Sequence, residues 1–217
     1  MGKIMEALFC VFYLIFTTVV GVNIVKKSKG RRQVLLFGIM TLILVFGDAF
    51  HLIPRITTAI NPAGDYAFAL GIGKMITSIT MTFFYLFLYL IYEIRYEKRN
   101  VPLRILVIIL SCNRVYLCLL SQNNWTGEDP VTWGIYRNIP FVILGLIMVI
   151  LFLEERSDKY YKWMWLAILL SFAFYIPVVL WADISPIIGM MMLPKTCMYM
   201  WIVMMGYSQA KAFDKEQ

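Results

Sequence analysis

The sequence predicts an all-α fold, a polytopic integral membrane protein of seven transmembrane helices with the N-terminus outside and the C-terminus cytoplasmic. Three observations carry that expectation. Of the 217 residues, 61% are hydrophobic and 15% are charged, whereas soluble domains are about half apolar and about a quarter charged. The apolar residues fall into seven runs of about the 20 residues that cross a bilayer core as a helix. The basic residues gather in alternate connections, as the positive-inside rule requires.

The first run, residues 4–25, is longer than a signal-peptide core and has no Ala-x-Ala cleavage pattern, so it reads as a retained first span. KKSKGRR, residues 26–32, then places five positive charges in seven residues and assigns that connection to the cytoplasm. The second span, 33–56, is followed by a turn with Asn61, Pro62, Gly64 and Asp65, polar and without a cation, which suits the outer side. The third span, 67–92, leads into the basic EIRYEKRN. The fourth, 102–120, leads into SQNNWTGEDP, with two acids and no base. Spans five (133–153), six (161–182) and seven (187–207) are joined by the cation-bearing EERSDKYYK and by a short outer turn through Asp183, Ser185 and Pro186.

The net charge of +7 follows this pattern. The inner connections and the tail hold Lys26, Lys27, Lys29, Arg31, Arg32, Arg95, Lys98, Arg99, Arg104, Arg156, Lys159, Lys162, Lys211 and Lys215, while the outer connections between spans hold no Lys or Arg. The basic balance is therefore a topology signal, with attraction to anionic inner-leaflet lipid as a consequence, and not a nucleic-acid footprint. The whole chain, 1–217, reads as one transmembrane domain of a bacterial cell membrane, with no soluble domain or clear internal repeat. Cys10, Cys112, Cys118 and Cys197 lie in apolar runs and read as small core hydrophobes. With one histidine, a multi-His metal centre is excluded, and no metal or cofactor is expected.

Polar residues inside the spans are the informative ones, because a charge near the bilayer centre costs at least about 2.5–3.5 kcal/mol unless it is paired, wet or part of a site. In GDAFHLIPR, residues 47–55, Asp48, His51 and Arg55 stand at i, i+3 and i+7, so at about 100° per residue they share one helix face. Lys74, Thr77, Ser78, Tyr85, Tyr89 and Tyr92 form a polar stripe along span three. Arg114 lies in span four, Arg137 at the start of span five, and Lys195 in the middle of span seven with Tyr199 one turn on. On the topology these groups sit in the outer half, which predicts an outward-opening, net-positive cavity. The residues expected to bind ligand are His51, Arg55, Lys74, Ser78, Tyr85, Arg114, Arg137, Lys195 and Tyr199. A small anionic or amphipathic ligand, such as a membrane lipid, would fit.

Plainer readings compete. Arg55, Arg137 and Asp183 suit interfacial anchoring, Asp48 with Arg55 or Lys74 suits a structural ion pair, and His51 suits hydrogen-bonded packing. Trp125, Trp133, Trp163 and Trp165 suit lipid-facing packing and interfacial belts. Asn124-Trp125-Thr126 is a glycosylation sequon, meaningful only in a eukaryotic secretory pathway. A sensor or transporter, a lipid-modifying enzyme and a membrane-protein partner all remain open.

GDAFHLIPR and, after a short turn, FALGIGKMITSITMTFFYLFLY (residues 68–89) resemble the Gly-Asp helix and following helix of the lysoplasmalogenase family, multi-pass hydrolases of the lysoplasmalogen vinyl-ether bond. The resemblance covers about a fifth of the chain. It implies Asp48 as a catalytic acid and Arg55 as a head-group contact. That family has eight spans, a histidine in the next helix and a later Ser-Asp motif, none of which this chain repeats. Lys195 with FYIPVVLW (residues 174–181) also resembles the retinal-binding microbial rhodopsins, which implies a Schiff-base lysine, though span three lacks their acidic counterion.

Overall fold

The structure, a computed structural model, describes residues 2–127, 130–182 and 184–215. Asp183 and the two acids of the connection after span four, Glu128 and Asp129, lie outside the described residues. The chain forms α1 (Gly2–Lys27), α2 (Arg32–Ile60), α3 (Ala67–Tyr96), α4 (Val101–Leu119), a 3-10 turn (Ser121–Asn123), α5 (Val131–Glu154), α6 (Met164–Trp181), the single turn α7 (Pro186–Gly189) and α8 (Met192–Lys215). Among the described residues there is no strand, and seven helices are long and apolar enough to cross a membrane.

Helix limits differ from the sequence reading where polar residues continue a helix beyond the apolar run. Because α2 continues to Ile60, Asp48 lies about 18 Å from its end at about 1.5 Å per residue. The segment EIRYEKRN is not all connection, since α3 runs to Tyr96 and stops where Glu97 turns left-handed (φ 53°). The C-terminal segment is not a loose tail, since α8 continues to Lys215. Helix α4 starts where Asn100 accepts a hydrogen bond from the Leu103 N–H at 3.1 Å and Pro102 occupies the first turn.

The long helices close into a ring, each packed on its neighbours in chain order, with α8 between α6 and α1; α3 also reaches α5, and α2 reaches α8. The core is apolar, with Phe37, Met40, Leu44, Phe84, Leu88 and Phe152 fully buried. The outer faces are apolar too: Ile15, Phe46, Ile109, Ile139 and Leu146 are exposed. Cys112 and Cys197 belong to these outer faces, so only Cys10 and Cys118 are buried as expected. Helices α2 and α3 approach closely because glycine removes the side chain between them. Gly47 sits against Thr80, and its carbonyl accepts a hydrogen bond from the Thr77 hydroxyl at 2.9 Å.

One end of the bundle carries the basic connections and is tied by acids. Asp158 accepts hydrogen bonds from Arg95 Nε (2.6 Å), the Tyr96 hydroxyl (3.1 Å) and the Tyr160 and Tyr161 N–H groups (2.7 and 2.9 Å). Glu93 is buried within α3 and pairs with Arg104 at 2.9 Å. Glu93 and Arg95, which the sequence reading assigns to the connection after span three, lie inside the longer α3. Asp214 joins Lys27 (2.5 Å) and Lys29 (2.9 Å), fixing the end of α8 to the first connection.

A cationic cavity opposite the basic connections

At the other end of the bundle, residues from α2, α3, α4, α5, α6 and α8 enclose a cavity of about 360 Å³. That volume is within the range of about 300–1,000 Å³ typical of small-molecule sites. Helix α2 supplies His51 and Arg55; α3 supplies Lys74, Thr77 and Ser78; α4 supplies Arg114; α5 supplies Arg137 and Asn138; α6 supplies Tyr175; α8 supplies Lys195. Among the described residues, five Lys and Arg side chains line it and no Asp or Glu does.

The buried face of α4 is Val107, Ser111, Arg114 and Cys118, a helical stripe that turns Arg114 inward. Arg114 is 1% exposed, and its Nε and Nη1 have no hydrogen-bond partner. Its Cζ lies 3.3 Å from the Phe141 ring centroid. Arg137 is positioned by the connection before its own helix. Its Nη1 donates to Asn123 Oδ1 at 2.9 Å, and its Cζ lies 4.3 Å from the Trp125 ring centroid. Asn123 is held in turn by donating to the carbonyls of Leu117 (2.7 Å) and Leu120 (2.8 Å). Lys195 is 9% exposed, with Nζ 4.1 Å from the Tyr175 ring and 5.6 Å from the Tyr199 ring. The Tyr175 hydroxyl donates to Asn138 Oδ1 at 2.9 Å, and Asn138 Nδ2 donates to the Gly134 carbonyl at 2.8 Å.

The remaining lining groups differ in how far they are engaged. Arg55 is paired with Glu6 at 2.5 Å, a partner in the first turns of α1 that the apolar character of that run conceals. Lys74 is exposed. Ser78 donates to the Lys74 carbonyl at 2.8 Å. His51 Nδ1 is buried without a hydrogen-bond partner.

Three expected residues stand apart from the cavity. The Asp48 carboxylate accepts a hydrogen bond from the Tyr13 hydroxyl at 2.6 Å, and Asp48 is not among the lining residues. Tyr85 is fully buried among Phe84, Phe141 and Phe172, and Tyr199 is buried edge-on against Phe84. The stripe that carries Lys74 and Ser78 continues down α3 beyond the cavity floor, which is why it also includes Tyr85. Trp125 is not a lipid-facing belt residue: its Nε1 donates to the Cys118 carbonyl at 2.8 Å and its ring lies under Arg137.

Chemically, the lining offers cationic donors from five Lys and Arg side chains. The Ser78 and Thr77 hydroxyls donate to backbone carbonyls and not to His51, so neither is a nucleophile bonded to a base. No group of three His, Cys, Asp or Glu side chains among the described residues could hold a metal ion. No protein-family profile, curated protein or solved structure matches the chain.

Proposed function

We propose that the chain is an integral protein of a bacterial cell membrane with its basic connections in the cytoplasm. Its outward-facing cavity binds or moves a small anionic or amphipathic ligand, as a sensor or transporter. One observation carries this reading: the guanidinium of Arg114 is buried at the cavity wall with two nitrogens unpartnered. An unpaired buried charge costs several kcal/mol, and an anion in the cavity would offset that cost.

A hydrolase centred on Asp48 is less well supported, because that carboxylate is bonded to Tyr13 and does not line the cavity. Mass spectrometry of small molecules that co-purify with the protein tests the proposal. An anion should be retained by the wild type and lost from Arg114→Gln. Co-purification of the same molecules with both proteins would count against it, as would vinyl-ether hydrolysis abolished by Asp48→Asn.

A further inference from the structure

The cavity's chemistry narrows the ligand beyond its sign, on the reading that this is an anion site. Most uncharged donors of the wall are already spent within the protein, Thr77 and Ser78 on backbone carbonyls and Asn138 on the Gly134 carbonyl, while His51 Nδ1 is left without a partner. Hydrogen-bonding capacity for a ligand therefore comes chiefly from Lys and Arg, which only donate. A matching ligand accepts without needing to donate.

The aromatic faces point the same way. Trp125, Phe141 and Tyr175 line the cavity, and each already carries a protein cation, respectively Arg137 at 4.3 Å, Arg114 at 3.3 Å and Lys195 at 4.1 Å. An aromatic cage for a choline or other ammonium group needs those faces open. Here they are occupied by the residues that would repel the ammonium, and no carboxylate among the described residues lines the cavity to receive it.

Charge number and shape complete the description. Arg114, Lys195 and Lys74 have no carboxylate within ion-pair distance among the described residues, whereas Arg55 is paired with Glu6. A carboxylate carries one charge, while a phosphate monoester carries about −1.5 to −2 at neutral pH and three terminal oxygens. Beside the cations, Met81, Val131, Val178, Val179 and Met192 form an apolar wall. We infer that the cavity takes a phosphate-monoester head group joined to an apolar body and rejects amine-bearing and zwitterionic head groups.

The test is a calorimetric titration of the full-length protein in maltoside detergent with dodecyl phosphate, dodecanoate, dodecylphosphocholine and inorganic phosphate. Dodecyl phosphate should bind saturably, and dodecylphosphocholine should bind at least about tenfold more weakly. Inorganic phosphate should compete with dodecyl phosphate at higher concentration. Equal affinity of the two phosphates would make free phosphate the ligand and overturn the apolar body. Dodecylphosphocholine binding as tightly as dodecyl phosphate would overturn the rejection of ammonium groups. Tighter binding of dodecanoate would overturn the phosphate assignment while leaving the anion site standing, and no saturable binding of any anion would overturn both. Lys74→Gln changes an exposed side chain and should narrow the preference for dodecyl phosphate over dodecanoate; an unchanged preference would contradict the role of the third cation.

Discussion

Arg114 lies over the face of Phe141, its Cζ 3.3 Å from the ring centroid, while its Nε and Nη1 make no hydrogen bond. The ring offsets part of the cost of burying the charge, but the missing partners leave the ligand-free protein strained at this point. Arg114→Met fills a similar volume without a charge. It should raise the stability of the ligand-free protein, because a buried charge without a compensating partner is costly. Thermal unfolding in detergent checks this, and a large loss of stability would mean that Arg114 serves the fold.

Tyr175 has two separable roles. Its hydroxyl donates to Asn138 and its ring lies under Lys195. Tyr175→Phe should cost about 1 kcal/mol of stability, the net worth of one hydrogen bond, and leave anion affinity nearly unchanged. Tyr175→Leu removes the ring and should weaken binding as well, read as a larger dissociation constant in titration.

The approach of α2 to α3 depends on glycine at defined places. A Cβ on Gly73 would run into the Phe50 carbonyl oxygen and lie 2.7 Å from His51 Cα. Backbone cannot rotate away as a side chain can, so Gly73→Ala should destabilise by about 1–3 kcal/mol and displace Lys74 from the cavity. Gly134 is the control: its nearest neighbour to an added Cβ is Arg137 Nη2 at 3.7 Å. Gly134→Ala should be neutral or stabilise the helix by up to about 1 kcal/mol. Comparing the two unfolding temperatures checks both expectations.

Asp158 links α3 to the connection before α6. Burial pushes its carboxyl up, but hydrogen bonds from Arg95 and from the N–H groups of Tyr161 and Tyr160 outweigh it, so the group titrates below its ordinary value. The sign follows from linkage: the stabilisation is complete above the unfolded value of about 3.9 and is lost as pH falls through the lowered folded value. Asp158→Asn should cost about 1.5–3 kcal/mol near neutral pH, the range for hydrogen bonds to a charged group. The gap between wild type and variant should shrink on acidification below pH about 4, measured by unfolding at several pH values.

Much of the fold is legible because a bilayer fixes the length of an apolar helix, so seven runs became seven long helices. The ends were less legible where polar residues such as Glu93 and Arg95 extend a helix past its apolar stretch. Arg55, Lys74, Arg114, Arg137 and Lys195 could be placed together because cations within spans must turn away from lipid. The pairing of Arg55 with Glu6 and of Asp48 with Tyr13 could not be read this way, since these contacts join α1 to α2 and depend on how the helices meet. Nothing in local periodicity reveals that Phe141 lies under Arg114 or Trp125 under Arg137. Asp158 was hidden for a similar reason, because its connection reads as a mixture of charges until Arg95 and Tyr96 of α3 are brought to it.

The most direct measurement is isothermal titration of wild-type protein and Arg114→Met with dodecyl phosphate, both shown to be folded by their unfolding transitions. The wild type should bind one equivalent saturably, and the variant should bind at least about tenfold more weakly, as expected when a buried charge-assisted contact is lost. Equal affinity in the two proteins would contradict the central claim that Arg114 forms part of an anion site.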